Sequence, residues 1–344
     1  MTTAAPPAEA PDAGVQPGAD CVAPTEAGVV RVTAPARLHF GLLGTPPGRA
    51  GRIGSLGLAL ERPRVVLEVC PSGALQVEGP QAERARALAA LFMERAEIRS
   101  GARLVVREAI PEHVGLGSGT QLALAVAAAL SRLHALPGDV AAWCAALGRG
   151  RRSGIGAHAF RFGGFLLDAG RSDGAAPPPP LVFRQPFPEE WGILAVVPDE
   201  GRGVSGEDEE RAFEALPPPP EALLERLGGV ILTRLIPSLL ERDVRAFGAA
   251  LERVQEGVGR CFAEAQGGLY HPLASPVVRW LRAAGAHGVG QSSWGPCAYA
   301  IVPDEAAAGA LAARLRAEGP LGPGARVLLL RPRNRGAEIA RLGP

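Results

Sequence analysis

The sequence of 344 residues contains no lysine, and all 36 of its basic residues are arginine. A phosphate loop of the Gly-x-x-x-x-Gly-Lys-Ser/Thr type needs a lysine that reaches the phosphates, so this chain does not contain that loop. Covalent catalysis through a lysine Schiff base is excluded for the same reason. Anion binding is therefore left to arginine side chains, hydroxyl groups and backbone N–H groups.

Cysteine and aromatic residues are also scarce. The five cysteines are spread along the chain in a spacing that matches neither a disulfide framework nor a set of zinc ligands. They are Cys21, Cys70, Cys144, Cys261 and Cys297. This usage predicts reduced thiols in the cytoplasm. Aromatic residues make up 5% of the chain and the arginines are dispersed, so we predict no nucleic-acid partner.

Long hydrophobic runs are missing as well. No stretch approaches about 18 apolar residues without a charge or a glycine, so we predict no membrane span. The N-terminus lacks a charged segment followed by an apolar core, which argues against a secretory signal. The net charge of +1 and the hydrophobic content of 47% are typical of a globular enzyme with two domains.

Composition and the order of predicted elements divide the chain into three parts. Residues 1–28 are rich in alanine, proline, glycine and acidic residues, and we expect a disordered tail. Residues 29–180 combine strand-like runs with helical patterns, and residues 181–344 alternate helices and strands. We therefore predict an α+β fold with an N-terminal domain over 29–180 and a C-terminal domain over 181–344.

The most informative segment is a glycine-rich turn that runs into an apolar stretch. The turn lies within residues 111–121 and is followed by Leu122–Leu130, which predicts a helix that is buried on all sides. The start of such a helix presents unpaired N–H groups and a positive dipole end, so we predict a phosphate or pyrophosphate site. The alternative is a plain turn before a buried helix. The predicted ligands are Gly115, Gly117, Ser118, Gly119, Thr120 and Gln121.

A second glycine turn follows a cluster of arginines, in the segment Arg-Gly-Arg-Arg-Ser-Gly-Ile-Gly at residues 149–156. Guanidinium groups bind phosphate through two parallel hydrogen bonds, and glycine turns present backbone donors. We predict a further part of the anion site here, with a solvated basic loop as the alternative. The predicted ligands are Arg151, Arg152, Ser153, Gly154 and Gly156.

Three other segments carry candidate site residues. Asp168 ends an apolar run and is a candidate catalytic residue, since a carboxylate there could bind Mg²⁺ or orient an arginine; the alternative is that it simply caps a turn. Arg37 and His39 follow the first predicted strand and are candidate catalytic residues, with a structural arginine and a surface histidine as the alternative. Ser292 and Ser293 lie in a glycine-containing turn of the second domain, where their hydroxyl groups are candidate substrate ligands.

These motifs together resemble a known group of enzymes. Pro111 and residues 115–119 match the Pro-x-x-x-Gly-Leu-Gly-Ser-Ser/Gly phosphate loop of the GHMP kinase superfamily. The Arg-Arg-Ser-Gly-Ile-Gly segment, the Gly-Gly-Phe at 163–165 and the Gln-Ser-Ser-Trp-Gly-Pro at 291–296 look like the narrower β-ribofuranosylaminobenzene 5′-phosphate synthase family. The superfamily implies a two-domain fold, with an N-terminal domain like the second domain of a ribosomal protein and a ferredoxin-like C-terminal domain.

The resemblance also implies an activity. It is the transfer of phosphoribosyl from phosphoribosyl pyrophosphate to 4-aminobenzoate or 4-hydroxybenzoate, with release of CO₂ and pyrophosphate, in tetrahydromethanopterin biosynthesis. Arg37 would position the aromatic carboxylate, Mg²⁺ would accompany the pyrophosphate, and pyridoxal phosphate is not expected because the chain has no lysine. A homodimer is expected from the family. The alternatives are an ATP-dependent small-molecule kinase of the superfamily and a non-catalytic binding protein with the same fold.

Overall fold

The computed structural model describes residues 28–44, 52–170, 176–199 and 219–343. Of the predicted N-terminal tail, residues 1–27 lie outside the described residues. The strands are β1 (Val29–Gly44), β2 (Arg52–Ser72), β3 (Gln76–Glu78), β4 (Gly101–Glu108), β5 (Phe165–Asp168), β6 (Leu181–Gln185), β7 (Gly192–Val197), β8 (His287–Gln291), β9 (Ala298–Val302), β10 (Arg326–Leu330) and β11 (Glu338–Leu342).

The helices lie between these strands. They are α1 (Ala82–Arg95), α2 (Ser118–Leu133), α3 (Val140–Leu147), α4 (Ile155–Phe162), α5 (Glu221–Val230), α6 (Ile236–Leu240), α7 (Val244–Gln266), α8 (Ala274–Ala283) and α9 (Glu305–Glu318). One wider π-helical turn, Ile231–Leu235, joins α5 to α6. In the described part of the chain, no helix combines the length and the apolar character needed to cross a membrane.

Two long antiparallel strands, β1 and β2, organise the first sheet. Its order is β11-β1-β2-β4-β3, and β5 and β6 extend it from β2. Alternate residues of β1 point into the core because side chains alternate between the two faces of a strand. The buried residues are Val30, Val32, Ala34, Ala36, Leu38 and Phe40. This face packs on α2, whose residues 121–131 are all buried. The predicted buried helix after the glycine-rich turn is therefore confirmed.

The second sheet is antiparallel with the order β10-β7-β9-β8. Helix α8 packs on β8 and β9, and α9 packs on β7 and β10. Helix α7 packs on both β8 and β1 and so lies between the two sheets. The two sheets with their helices confirm the predicted α+β class.

The chain leaves the first sheet after β6 and returns to it at β11. Strand β6 pairs with β5, and β11 pairs with β1 from Val29 opposite Leu342 to Thr33 opposite Glu338. Two strands beyond residue 180 thus belong to the sheet that residues 29–180 begin. The division of the chain at residues 180 and 181 stays a prediction.

Candidate active site

The glycine-rich turn leaves the N-terminus of α2 open. Gly115 and Gly117 have φ angles of 92° and 86°, a left-handed conformation that favours glycine. Gly117 is the N-cap residue of α2, and it offers no side chain to the helix. Helices α3, α7 and α9 are instead capped by aspartate side chains. The first N–H groups of α2 have no intrahelical acceptor, and with the positive end of the helix dipole they suit an anion.

Two guanidinium groups lie over this helix terminus. A Cβ atom added to Gly119 would be 2.6 Å from Nη2 of Arg84 and 3.6 Å from Nη1 of Arg149. Arg84 forms an ion pair with Glu112 at 3.3 Å. The buried Nε of Arg149 has no hydrogen-bond partner among the described residues. Burial, together with the positive charge of Arg84, lowers the pKa of Arg149, which indicates a charge that lacks compensation until an anion binds.

The second glycine turn brings the N-terminus of α4 beside that of α2. A Cβ atom on Gly156 would be only 2.9 Å from Cγ2 of Thr120. The Nε2 group of the buried Gln121 donates a hydrogen bond to the Gly156 carbonyl at 2.8 Å, so Gln121 ties the two helices together. Ser153 precedes α4, and its Oγ accepts a hydrogen bond from the N–H of Ile155 at 3.2 Å. The two glycine turns are therefore parts of one site.

Asp168 lies behind the second turn and is 0% exposed. Its carboxylate accepts hydrogen bonds from the backbone N–H groups of Ser55, Gly154 and Gly170 at 3.0, 2.8 and 2.8 Å. Burial raises the pKa of Asp168, although these three hydrogen bonds act in the opposite direction. The carboxylate thus holds Gly154 in place. This geometry does not favour the predicted catalytic and Mg²⁺-binding roles of Asp168, because its carboxylate is fully buried and already accepts three backbone hydrogen bonds.

Arg37 and His39 lie two residues apart on β1, next to the glycine-rich turn. Arg37 donates a side-chain hydrogen bond to the Gly115 carbonyl, and its backbone N–H donates to the Leu116 carbonyl at 3.1 Å. The Nε2 atom of His39 is 3.1 Å from Oγ of Ser153, and its buried Nδ1 has no partner among the described residues. Burial and the neighbouring Arg37 hold the pKa of His39 well below 6.5. His39 is therefore a neutral imidazole at neutral pH.

The turn between β8 and β9 closes against both β1 and the glycine-rich turn. Oγ of the buried Ser292 donates to the Gly115 carbonyl at 2.6 Å and accepts from the backbone N–H of His39 at 2.9 Å. The backbone N–H of Ser293 donates to the His39 carbonyl at 3.0 Å. A Cβ atom on Gly115 would be 2.2 Å from the Ser292 carbonyl oxygen. Ser292 therefore joins three distant segments of the chain.

These segments form part of the lining of a cavity of about 300 Å³. We call this part the basic wall, and its residues are Arg37, His39, Thr120, Arg149, Arg151, Arg152, Ser153 and Gly156. Across the described ranges, no aspartate or glutamate lines the cavity. Those ranges also contain no cluster of three or more His, Cys, Asp or Glu residues that could hold a metal ion.

The predicted site residues fall into two groups in this geometry. Seven of them on the basic wall line the cavity, namely Arg37, His39, Thr120, Arg151, Arg152, Ser153 and Gly156, and so does Ser293. The others are not among its lining residues, namely Gly115, Gly117, Ser118, Gly119, Gln121, Gly154, Asp168 and Ser292. Their binding roles stay predictions.

A second group of lining residues consists mainly of apolar, aromatic and amide side chains. We call it the aromatic–amide wall, and its residues are Gln255, Val258, Phe262, Gln266, Leu269, Tyr270, Gln291 and Trp294. The rings of Phe262 and Trp294 meet edge to face with centroids 5.0 Å apart. The hydroxyl of Tyr270 accepts a hydrogen bond from Arg282 at 2.9 Å. Burial raises the pKa of Tyr270 to about 12, so this hydroxyl stays protonated at neutral pH.

Three glutamines of this wall are linked by hydrogen bonds, Gln255 through the backbone of Gln291 and Gln266 through its side chain. Oε1 of Gln255 accepts the backbone N–H of Gln291 at 2.9 Å, and Nε2 of Gln291 donates to Oε1 of Gln266 at 2.9 Å. Nε2 of Gln291 also donates to the Ser293 carbonyl at 3.0 Å, and its Oε1 accepts the N–H of His271 at 2.6 Å. Linked amides of this kind hold one another in a single arrangement.

Sequence reasoning missed Arg84, did not select Arg149 as a ligand, and missed the aromatic–amide wall. One signal was available for the wall, since Gln255 and Gln266 are polar residues on the buried face of α7. A buried polar side chain on an amphipathic helix points to a hydrogen-bond network or a ligand. Arg84 lies on a surface helix, and the local pattern there contains nothing that marks it.

Comparison with known proteins identifies relatives of the whole chain. Residues 83–164 match the family described as GHMP kinases N terminal domain, and residues 235–321 match GHMP kinases C terminal. The chain is 34% identical to the β-ribofuranosylphenol 5′-phosphate synthase of Methanothermobacter thermautotrophicus, over 89% of this chain and 97% of the relative. It is 33% identical to the enzyme of the same name from Archaeoglobus fulgidus, over 90% of this chain and 99% of that relative.

Solved structures resemble the fold. The mevalonate diphosphate decarboxylase of Enterococcus faecalis matches with a TM-score of 0.63 at 16% identity, over 92% of this chain and 99% of its own. Homoserine kinase from Cytophaga hutchinsonii matches with a TM-score of 0.61 at 18% identity, over 92% and 98%. At such identities the likeness concerns the fold alone. Together with the matched N- and C-terminal families it confirms the predicted GHMP-kinase-like fold of two domains.

Proposed function

The chain belongs to the β-ribofuranosylphenol 5′-phosphate synthase family, and on this basis we propose that it transfers phosphoribosyl from phosphoribosyl pyrophosphate to 4-hydroxybenzoate or 4-aminobenzoate. The carboxylate of the acceptor leaves as CO₂, and pyrophosphate is released. The reaction forms a bond between the ribosyl C1 and the ring carbon that carried the carboxylate. Its place would be in tetrahydromethanopterin biosynthesis.

One observation carries the proposal. Four arginines, Arg37, Arg149, Arg151 and Arg152, line a cavity that contains no acidic side chain among the described residues. Next to them, the N-termini of α2 and α4 meet at Thr120 and Gly156. Phosphoribosyl pyrophosphate carries a 5′-phosphate and a pyrophosphate, and such a concentration of positive charge and open N–H groups matches a ligand with two anionic groups.

The basic wall would assist departure of the pyrophosphate. As the bond from ribosyl C1 to oxygen breaks, negative charge grows on the leaving group and positive charge grows on the sugar. Donors that are already in position stabilise the growing negative charge without further reorganisation, and removal of one such donor typically costs about 10²- to 10³-fold in kcat. Arg149 and the first turn of α2 are the groups best positioned for this, because Arg149 has an unpartnered Nε.

The acceptor then needs no external base. The para hydroxyl or amino group donates electron density to the ring, and the ring carbon that bears the carboxylate attacks ribosyl C1. The bond to the carboxylate breaks, CO₂ leaves, and the electron pair of that bond restores the aromatic ring. His39 is neutral at neutral pH, since burial and Arg37 hold its pKa well below 6.5. It would therefore act by hydrogen bonding, while Arg37 would position the carboxylate.

Mg²⁺ remains part of the proposal only as a companion of the pyrophosphate. Asp168 does not fit as its ligand, because its carboxylate is 0% exposed, is not among the residues that line the cavity, and is already engaged by three backbone N–H groups. Phosphate oxygens of the substrate would be the principal ligands of the ion. We also propose a cytoplasmic enzyme and a homodimer, on the grounds of the cysteine usage and of the family resemblance respectively.

The two alternative functions are less favoured. A small-molecule kinase of the same fold would use the turn before α2 for the triphosphate of ATP, but the full-length relatives are named synthases. A protein that binds without catalysis would use the same uncompensated arginine charge to hold an anion, but the relatives at 33–34% identity are named as synthases, which are enzymes.

A labelled substrate separates these functions. The protein is incubated with phosphoribosyl pyrophosphate and carboxyl-labelled 4-hydroxybenzoate or 4-aminobenzoate, and CO₂ and pyrophosphate are counted. We expect equal amounts of the two products, with no requirement for ATP. Turnover of ATP without CO₂ release would assign the chain to the kinases, and absence of any turnover would favour the binding protein.

A further inference from the structure

The aromatic–amide wall does not suit a phosphate. Phe262 and Trp294 present ring surfaces, and Val258 and Leu269 add aliphatic surface beside them. A flat apolar ligand fits such a surface, since ring contacts are favourable and water is displaced from both partners. In the proposed reaction, the ligand of this kind is the benzoate ring of the acceptor.

The hydrogen bonds of the glutamines leave mainly acceptor positions open. Both Nε2 hydrogens of Gln266 are used, on the Gly268 and Leu269 carbonyls at 3.0 and 2.9 Å. Both Nε2 hydrogens of Gln291 are also used, and one of Gln255 is donated to the Phe40 carbonyl. Each of the three Oε1 atoms accepts one hydrogen bond from the described residues, although an amide oxygen can accept two. The glutamine side chains of the wall therefore favour a ligand group that donates hydrogen bonds.

The charge of the carboxylate determines how a benzoate is oriented between the two walls. The carboxylate of a benzoate is attracted to the basic wall, where Arg37 lies, and is disfavoured beside amide oxygens that can only accept. A para hydroxyl or para amino group has the opposite requirement because each carries a hydrogen to donate. A para-substituted benzoate thus has one end suited to each wall.

We infer that the aromatic–amide wall binds the ring of the acceptor acid, with the carboxylate toward Arg37 and a hydrogen-donating para group on the oxygens of Gln255, Gln266 and Gln291. This inference rests on the proposed function. It accounts for the site of bond formation, because the ring carbon that carries the carboxylate then faces the basic wall and the ribosyl C1 bound there. It also makes the para donor a requirement for binding, beyond its electronic role in the reaction.

A ligand series tests binding separately from reactivity. Dissociation constants are measured by calorimetry, without phosphoribosyl pyrophosphate, for 4-hydroxybenzoate, 4-aminobenzoate and 4-fluorobenzoate. Fluorine is small and cannot donate a hydrogen bond. We expect the hydroxy and amino acids to bind roughly tenfold more tightly than the fluoro acid, since only they can donate a hydrogen bond to the second acceptor position of a glutamine oxygen. Equal affinity of all three acids would overturn the assignment of the para group to the glutamine oxygens.

A matched pair of tryptophan variants tests the position of the ring. Trp294→Leu removes an aromatic face from the wall, and we expect the KM for the aromatic acid to rise roughly two- to tenfold while the KM for phosphoribosyl pyrophosphate stays the same. The control is Trp280→Leu, because Trp280 lies on α8, packs against Arg314 and does not line the cavity. If Trp294→Leu does not fold, the ligand series with the unchanged protein still decides.

The failure of this inference is distinguishable from the failure of the proposed function. If the unchanged protein releases CO₂ and pyrophosphate but Trp294→Leu keeps its KM for the acid, the reaction is correct and the ring binds elsewhere. If no CO₂ is released under any condition, the proposed function itself is wrong.

Discussion

The two walls of the cavity differ in how far their polar groups are satisfied. On the basic wall, Arg149 has a buried Nε without a partner among the described residues and lies beside a second guanidinium. On the aromatic–amide wall, Gln255, Gln266 and Gln291 bond to one another and to the backbone. The first wall therefore contains a guanidinium group that an anion would compensate, whereas the glutamine amides of the second are already hydrogen-bonded before a ligand arrives. Variants in the two walls should affect different properties of the protein.

The largest effect is expected from a variant in the aromatic–amide wall, on the stability of the protein. Gln291→Leu removes three side-chain hydrogen bonds, which are made with the side chain of Gln266, the carbonyl of Ser293 and the backbone N–H of His271. At about 1 kcal/mol for each bond, the free energy of unfolding should fall by about 3 kcal/mol. Urea denaturation measures the change, with Gln185→Leu on β6 as a control outside the cavity. A stability equal to that of the control would contradict the view that the hydrogen bonds of this wall stabilise the protein without a ligand.

Arg149→Ala should lower the affinity for substrate without lowering the stability of the protein. It removes a charge that has no compensating partner, so the free protein should keep its stability or become more stable. The affinity for phosphoribosyl pyrophosphate should fall roughly tenfold to a hundredfold, because one charge-assisted hydrogen bond is lost and such a bond contributes about 1.5–3 kcal/mol. Thermal unfolding and steady-state kinetics measure the two properties, and Arg279→Ala on α8 is the control. If the variant loses stability but keeps its affinity for phosphoribosyl pyrophosphate, Arg149 does not contribute to anion binding.

A smaller effect is expected at the helix terminus. Gly119 lies in the first turn of α2, and a Cβ there would meet the flexible end of Arg84 rather than backbone. Gly119→Ala should raise helix stability by up to about 1 kcal/mol and weaken phosphoribosyl pyrophosphate binding roughly tenfold, because the methyl group crowds the anion. Gly117 is not equivalent, since its φ of 86° makes any side chain strained. An unchanged Kd for Gly119→Ala, measured by calorimetry, would mean that the anion does not contact this turn.

The smallest predicted effect concerns pH. Burial and Arg37 hold the pKa of His39 well below 6.5 in the folded protein, so below about pH 6.5 the unfolded chain takes up a proton that the native state does not. Stability should then fall as the pH falls from about 6.5 toward the folded pKa, by at most about 1.4 kcal/mol per pH unit for this group. His39→Gln should reduce that slope in urea titrations at several pH values. An identical slope in the variant would show that His39 titrates normally.

The sequence predicted the parts of the site that are local in the chain. The turn before α2 was recognisable because glycines and an apolar helix lie within about twenty residues, and the whole predicted anion-binding motif is contained there. For Asp168 the sequence left two roles open, because an aspartate at the end of a strand looks the same whether it faces a ligand or caps a turn. Only the positions of Ser55, Gly154 and Gly170 show that it caps.

The aromatic–amide wall could not be predicted in the same way because it is assembled from distant segments. Phe262 comes from α7 and Trp294 from the turn after β8, and their contact depends on how α7 packs on the second sheet. On its helix, Phe262 has the spacing of an ordinary core residue. The fold class was predictable from the alternation of elements, but the return of β11 to β1 depends on a pairing between opposite ends of the described chain.

That return has a consequence for synthesis on the ribosome. β1 emerges early, and until β11 follows, one of its edges has exposed backbone groups that can pair with another chain. With about 300 residues between the two strands, translation at about 5–20 residues per second leaves that edge open for roughly 15–60 s. We expect nascent chains to depend on chaperones during this interval. We also expect a stop codon placed just before β11 to yield aggregated protein rather than a soluble enzyme of reduced activity.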